Sequence, residues 1–368
     1  MYTAIIFCIC FLTFTLSGQS QVSGGLAITN LKVTTTSFNP GKAESTTLTF
    51  NISGAAKITA RVLGPDHEYL RTVLDAAQRP AGPVTVMWNG RDQNGRVVPD
   101  EAYFFTIEAE AANGDKAVYD PVTISGGEFA DITQGEVSRR SGTVSYKLSQ
   151  PSRVLMRAGI AGNSMLKTIV DWEPRPAGTV TEYWNGKDED NLIDVLNLKY
   201  TMILSYMTLP ETSVITFGND KYDYREYRSS LKPPPVMKPD RPMANGRQIS
   251  PHFLKSRITD RSFKVKLSFP DLDKGSTVSS APPAARDRIL VRLDVDPKDR
   301  DVLQSQQYEI ILFIDTVFHI EEERGYLPFN VPIELTQLPA GEHVITANII
   351  TFGDQIGVGS GKIRVDKQ

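Results

Sequence analysis

The residues best suited to acid–base or metal chemistry near neutral pH are four histidines, His67, His252, His319 and His343. They are scattered along the chain without the paired spacing that a metal site or a nucleophilic triad requires. His319 stands beside Glu321, Glu322 and Glu323, and a solvated strand end accounts for that run. Asp92 with Asn94, and Asp188 with Asp190, could offer oxygens to calcium. A calcium loop needs further ligands and a closing bidentate Glu, which neither stretch has. Carboxylates bonding the backbone of a tight turn account for both. No Gly-rich phosphate loop follows a strand and opens a helix. We therefore expect no catalytic residue, no metal and no cofactor.

Chemistry of another kind is legible between Tyr222 and Arg228. Tyr222, Tyr224 and Tyr227 alternate with Arg225 and Arg228, and Tyr and Arg dominate the hot spots of protein interfaces. Lys232-Pro233-Pro234-Pro235 and Lys238-Pro239-Asp240-Arg241-Pro242 follow. Proline at that density enforces extended polyproline II, so residues 218–261 read as a basic, semi-rigid linker. The five Tyr and Arg residues are its candidate partner-binding set, against the plainer reading of a spacer with solubilising charge.

The elements around these residues are set by a repeat. Trp88-Asn89-Gly90-Arg91-Asp92 returns as Trp184-Asn185-Gly186-Lys187-Asp188, and Arg79-Pro80-Ala81-Gly82 as Arg175-Pro176-Ala177-Gly178, both at an offset of 96 residues. Thr47-Leu48-Thr49-Phe50 and Thr143-Val144-Ser145-Tyr146 keep the same offset. A common spacing over so long a stretch is a duplicated domain. Trp88 and Trp184 end strands and precede Asn-Gly turns, where tryptophan packs one sheet on the other; glycan stacking is the alternative. Asn191 replaces Gly95 in the second copy and tolerates the positive φ such a turn needs.

Alternation of polar and apolar residues predicts strands at Thr46–Ile52, Lys57–Leu63, Pro83–Trp88 and Tyr103–Ala109, with the same plan from Thr143 to Leu204. Tyr69 to Ala77 reads as a turn or a short helix at most. After the linker, strands are expected at Ile289–Val295, Tyr308–Ile314, Val317–Ile320, His343–Phe352 and Gly357–Val365, with Lys274–Ala285 as a loop. Short strands with turns about every ten residues indicate sandwiches. The fold class expected is all-β: three Ig-like antiparallel sandwiches at 21–125, 126–217 and 262–368.

Ala4 to Leu16 is an uncharged run of about thirteen residues, too short to span a bilayer comfortably and suited to a secretory signal over residues 1–20. Met1-Tyr2-Thr3 carries no Lys or Arg, which leaves an uncleaved anchor as the competing reading. The only cysteines, Cys8 and Cys10, fall in that segment, so a mature chain has no thiol to crosslink and no membrane span. A formal charge of −3 is too small to steer the chain toward nucleic acid.

On Phe38-Asn39-Pro40, Leu70-Arg71-Thr72-Val73, Pro80-Ala81-Gly82, the Trp-Asn-Gly-Arg-Asp block, Asn94-Gly95, Pro99 and Tyr103, the first two domains resemble the immunoglobulin-like domain of the flagellar hook-capping protein. The third is more loosely similar to bacterial Ig-like domains that carry Leu-Pro-Ala-Gly-Glu-His before the penultimate strand. The resemblance covers about half of the chain and implies fold more than activity. Together with the tandem modules, the lack of a catalytic constellation and the polyproline arm, it leads us to expect an exported, non-catalytic structural or assembly protein of the bacterial envelope or surface, acting through other proteins there. The alternative is a carbohydrate-binding or adhesive module with polysaccharide as partner.

Overall fold

Strand alternation is realised almost residue for residue. A computed structural model describes residues 21–23, 25–121, 129–220, 222–231, 261–272, 282–353 and 355–367. The chain is all-β, in tandem sandwiches. Residues 1–20 with both cysteines, the proline-rich stretch 232–260 with His252, and most of the 274–285 loop lie outside the described residues.

In the first module, β1 (Gln21–Ser23), β3 (Ser37–Phe38), β5 (Ala56–Leu63), β6 (Tyr69–Arg79), β8 (Ala102–Ala111) and β9 (Lys116–Tyr119) form one sheet. They face a second sheet of β2 (Ile28–Val33), β4 (Thr46–Ile52) and β7 (Gly82–Trp88). Along β4 every second residue, from Thr46 to Ile52, is buried, as a strand covered on one face requires. The inward residues Leu48, Phe50, Ile58, Val86, Trp88 and Ile107 belong to one core.

The second module repeats the plan. β10 (Phe129–Asp131), β13 (Ser152–Gly159), β14 (Met165–Arg175) and β16 (Thr201–Thr208) oppose β11 (Gly135–Ser138), β12 (Thr143–Leu148) and β15 (Gly178–Tyr183). Positive φ recurs at the duplicated offset: Ala76 and Trp172, Gly90 and Gly186, Gly95 and Asn191. Backbone irregularities were therefore copied with the sequence.

In the third domain, β18 (Val265–Ser268), β20 (Arg288–Val295) and β23 (Phe329–Glu334) make one sheet. The other runs β19 (Ala284–Ala285), β25 (Ile356–Val365), β24 (Gly341–Thr351), β21 (Tyr308–Ile314) and β22 (Val317–Glu322). A helix at Pro297–Gln304, capped by Asp296 with proline in its first turn, joins β20 to β21.

Three expectations need correction. Tyr69–Arg79 is an eleven-residue strand, not a turn or short helix. It pairs with β5 through three register shifts, and those bulges break the alternation that reveals a strand in sequence. The second correction concerns the boundary at 217. After β16 the chain crosses back, and β17 (Val214–Thr216) pairs antiparallel with β8 and parallel with β3 of the first module. Third, the stretch after it is not all linker: Tyr224–Ser229 is helical, and Val214, Tyr224 and Tyr227 lie in the first module's core.

The crossing joins the two repeats closely. Ala102, Phe104, Leu209 and Ile215 form a small buried cluster across the joint. Beside it Arg153 Nη1 of the second module donates to Glu101 Oε1 of the first at 2.8 Å, both side chains being buried.

Candidate interaction site

The Tyr/Arg stretch and the first Trp-Asn-Gly-Arg-Asp turn meet in space. Gly90 adopts φ 67° against Pro40 and Phe38, closing the strand so that Trp88 can turn inward. Trp88 packs edge-on against Phe38, Tyr103 and Phe105, and its Nε1 donates to Arg91 O at 3.0 Å. Asp92 is buried. Its Oδ1 accepts from the backbone N–H groups of Asn94 and Arg96, both at 2.9 Å, and its Oδ2 from Arg96 Nε at 2.9 Å. The carboxylate thus organises its own turn, as the sequence suggested.

The helix Tyr224–Ser229 sits on that turn. Asp223 caps it, accepting from Arg225 N at 2.8 Å and Glu226 N at 3.4 Å. Burial alone pushes the Asp223 carboxyl up, but these N–H groups and the Arg261 and Lys298 charges hold it below its usual value. Tyr227 is 0% exposed. Its hydroxyl donates to Asp92 Oδ2 at 3.2 Å, and the Arg96 guanidinium lies 5.2 Å from the centre of its ring. Burial, then the Asp92 charge, keeps the Tyr227 phenol protonated far above its usual value. Arg228 reaches Asp66 Oδ2 at 2.9 Å, and Arg96 Nη1 donates to Ser230 Oγ at 2.9 Å.

The other end of the helix faces the third domain. Arg225 Nη1 donates to Lys298 O at 2.7 Å and Asp299 Oδ1 at 3.2 Å. Arg261 contacts Asp299 at 3.0 Å and Asp223 at 3.4 Å. Of the five residues proposed to bind a partner, Tyr224 and Tyr227 are buried, and Arg225 and Arg228 are ion-paired within the chain. Only Tyr222, 48% exposed, keeps much of its surface. The residue types that mark an interface are here joining parts of one chain.

Beside the Arg228–Asp66 contact lies a residue the sequence reading passed over. Glu68 is 9% exposed. Its Oε2 accepts from Asp66 N at 3.0 Å, while Oε1 meets no donor among the described residues. Burial, with the Asp66 charge adding to it, pushes the carboxyl up to about 7 against the pull of its own backbone N–H and of Arg228.

The second turn is built alike and used differently. Gly186 adopts φ 78°, Trp184 Nε1 donates to Lys187 O at 2.8 Å, and Trp184 packs edge-on against Tyr200. Asn185 accepts from Lys187 N and donates to Asn191. Asp188 Oδ1 accepts from Leu192 N at 2.6 Å and Ile193 N at 2.8 Å. Leu192 stands where the first copy has Arg96, and Asp188 Oδ2 has no donor among the described residues. This end meets the third domain instead: Asn348 bonds both the N–H and the C=O of Met165 at 2.8 Å, and Asp190 accepts from Ser360 N at 2.6 Å.

His319 lies exposed on β22. A more structured histidine is His343. Its Nδ1 bonds Asp315 Oδ2 at 2.6 Å and its Nε2 bonds Pro339 O at 2.9 Å. Both partners are acceptors, so the two bonds are made together only by the doubly protonated ring. Burial opposes this, but the Asp315 carboxylate outweighs it and raises the pKa. With both nitrogens engaged, His343 fastens turns and offers no base to a substrate. Only the β21–β24 register, Ile314 opposite Ile345, would have revealed the pair. Among the described residues no group of His, Cys, Asp or Glu is arranged to hold a metal ion, and no helix is long and apolar enough to cross a membrane.

No protein-family model matches the chain, and no curated relative does. Solved structures that the chain matches include FlgD of P. aeruginosa. It is 15% identical, covers 28% of this chain and 73% of that one, and has a TM-score of 0.19. The fibronectin(III)-like modules of Clostridium thermocellum CbhA are 8% identical over 92% of this chain and 95% of that one, at 0.19. A bacterial ice-binding adhesin is 12% identical over 93% and 99%, also at 0.19. Likeness at this level carries no argument about fold or activity.

Proposed function

We propose that this chain is an exported, non-catalytic structural or assembly protein of the bacterial envelope, whose sandwiches present surfaces to other proteins at fixed mutual geometry. The observation that carries the reading is the joint between the repeats, where β17 completes the first module's sheet after the chain has built the second. The buried Glu101–Arg153 pair locks that crossing. A spacer needs only a tether between modules, whereas a scaffold needs a fixed angle, and buried joints supply one.

Crosslinking in intact native cells, followed by purification of the chain and identification of its companions, tests the reading. A defined set of envelope proteins in constant ratio is the expected result. Recovery of the chain alone overturns it. Deleting the stretch from Tyr222 would not serve, because it removes Tyr224 and Tyr227 from the first module's core.

One observation favours a second reading, a carbohydrate-binding or adhesive surface. Tyr183, at the matching position to Met87, is 84% exposed on the edge strand β15. Near it on the same face Ser145 and Thr181 hydroxyls pair across strands at 3.0 Å. An aromatic face beside uncharged hydroxyls suits a sugar ring. Retention on cell-wall polysaccharide, lost in Tyr183→Ala, is the outcome this reading requires.

A further inference from the structure

The turn Gly64–Glu68 is folded tightly on itself. Gly64 N donates to Glu68 O at 2.8 Å and His67 N to Gly64 O at 3.0 Å, and His67 adopts φ 65°. The Glu68 side chain lies back across the turn, so close over Gly64 that a Cβ there would collide with its carboxyl. Arg228 of the docked helix closes over the same turn through Asp66.

Among the described residues, the charged or titratable groups that act on Glu68 or respond to it come from three elements, with Asp92 and Arg96 one step further out on Tyr227. The turn itself contributes Asp66 and His67. The helix contributes Arg228 and Tyr227, and β8 contributes Tyr103, whose phenol and that of Tyr227 both sense the Glu68 charge. Only Arg228 among these contributed groups is a fixed cation, and it is already engaged by Asp66. An ionised Glu68 must therefore share that cation with a second carboxylate in a site with little water.

We propose that the helix Tyr224–Ser229 is a pH-sensitive clasp, seated on the first module while Glu68 is protonated and loosened when Glu68 loses its proton. The neutral carboxyl fits the buried turn. The anion lacks a donor for Oε1 among the described residues, and lifting the helix, whose Arg228 closes over the turn through Asp66, would admit water to it. Arg228 pulls in the opposite sense, and its effect is smaller than that of burial. The second repeat is a natural control: it has Ser164 at the position of Glu68, and among the described residues no Tyr-bearing helix is seated on its turn.

The direction follows from linkage. Glu68 has a higher pKa seated than exposed, so its contribution to docking is complete below the ordinary value of 4.5. It is lost as pH rises through about 7. Full coupling would change the opening equilibrium by up to about three-hundredfold across that window.

The test is hydrogen exchange of the full chain between pH 5 and 8, corrected for intrinsic amide rates. The probe is a peptide covering residues 222–231, with one covering β4 as the control. Protection of 222–231 should fall as pH rises through about 7 while β4 stays protected. Glu68→Gln should hold it high and flat, and Glu68→Ser, the residue of the second repeat, should also flatten it if the Gln variant folds poorly. His67→Asn should keep the wild-type fall, and Asp66→Asn should lower protection at both ends. A flat wild-type profile, a fall that survives both Glu68 changes, or one abolished by His67→Asn overturns the proposal.

Discussion

The claim that the Tyr/Arg stretch is structural stands or falls on Tyr227. Its ring is fully buried among the first module's core residues, and its hydroxyl bonds the carboxylate that organises the Trp-Asn-Gly-Arg-Asp turn. Truncating a buried aromatic ring to alanine costs about 3–5 kcal/mol in lost transfer energy and cavity. Removing the hydroxyl alone forfeits a hydrogen bond to a charged acceptor, ~1.5–3 kcal/mol. The lower end applies to Tyr227→Phe, because Arg96 Nε still serves the same oxygen at 2.9 Å. The two repeats share β17 and should melt together, where each kcal/mol moves Tm by about 2–4 °C. Tyr227→Phe should then lower the melting temperature by roughly 3–6 °C and Tyr227→Ala by roughly 6–20 °C, with m-values unchanged. A ceiling applies: the loss cannot exceed the docking free energy of the helix, which detaches once its anchor is gone. The Tyr224→Ala/Tyr227→Ala double variant should accordingly lose less than the sum of the singles. Thermal melts followed by circular dichroism, with far-UV spectra as the folding check, decide it. A Tyr227→Ala variant that melts within about 1–2 °C of wild type would return the stretch to the role of a spacer.

Further predictions follow from contrasts within the molecule. Asp92→Asn should cost about 2–3 kcal/mol, because it faces Arg96 Nε and the Tyr227 hydroxyl with an amide. Asp188→Asn should cost under about 1 kcal/mol or stabilise, since Oδ1 keeps its two N–H donors and an unserved buried charge disappears; urea titrations of both variants compare them. Gly90→Ala combines φ 67° with collision against Pro40 and Phe38 and should cost about 2–5 kcal/mol. Gly95→Ala, at φ 80° with open space around it, should cost only about 1–2 kcal/mol; equal melting temperatures would contradict the packing described here. His343 has a raised pKa in the fold, so its contribution is complete below the ordinary histidine value and is lost as pH rises through the folded one. Urea titrations between pH 5 and 9 should show stability of the third domain declining with rising pH, and Asp315→Asn should flatten that slope.

How far the fold could be read follows from what local pattern encodes. Alternation located β4 to the residue, because every second side chain along it is buried, and the apolar run Tyr308–Ile314 marked β21 equally well. Alternation could not locate β6, whose bulges spoil the period, nor β17, a three-residue strand whose partners lie more than a hundred positions upstream. The Tyr222–Arg228 stretch misled for a chemical reason. Amphipathic rings and guanidinium forks join surfaces equally well within a chain and between chains, and composition does not say which. A local signal was nonetheless present. Asp223 followed three residues later by Glu226 is an N-terminal helix signature, and Tyr224 with Tyr227 falls on one helical face. Asp296-Pro297 announces the third-domain helix in the same way.

The two repeats also show how a duplicated module acquires separate duties while keeping its frame. The turn is held in both by the same internal bonds: tryptophan Nε1 to a backbone carbonyl, an aspartate Oδ1 to two N–H groups, and glycine at positive φ. The N–H groups that the aspartate serves differ between the copies, and so does what looks outward from the turn. The first copy has Tyr69, Asn94 and Arg96, and Arg96 with Asp92 receives Tyr227 and Ser230 of the docked helix. The second has Met165, Asp190 and Leu192 at those positions, and Met165 and Asp190 receive Asn348, Ser360 and Lys264 of the third domain. The same end of each module is therefore a docking surface, met through side chains at Asp92, Arg96 and Asp190 and through the backbone at Met165. The Trp-Asn-Gly-Arg-Asp signature reports the frame, and the partner must be read from the residues that flank it.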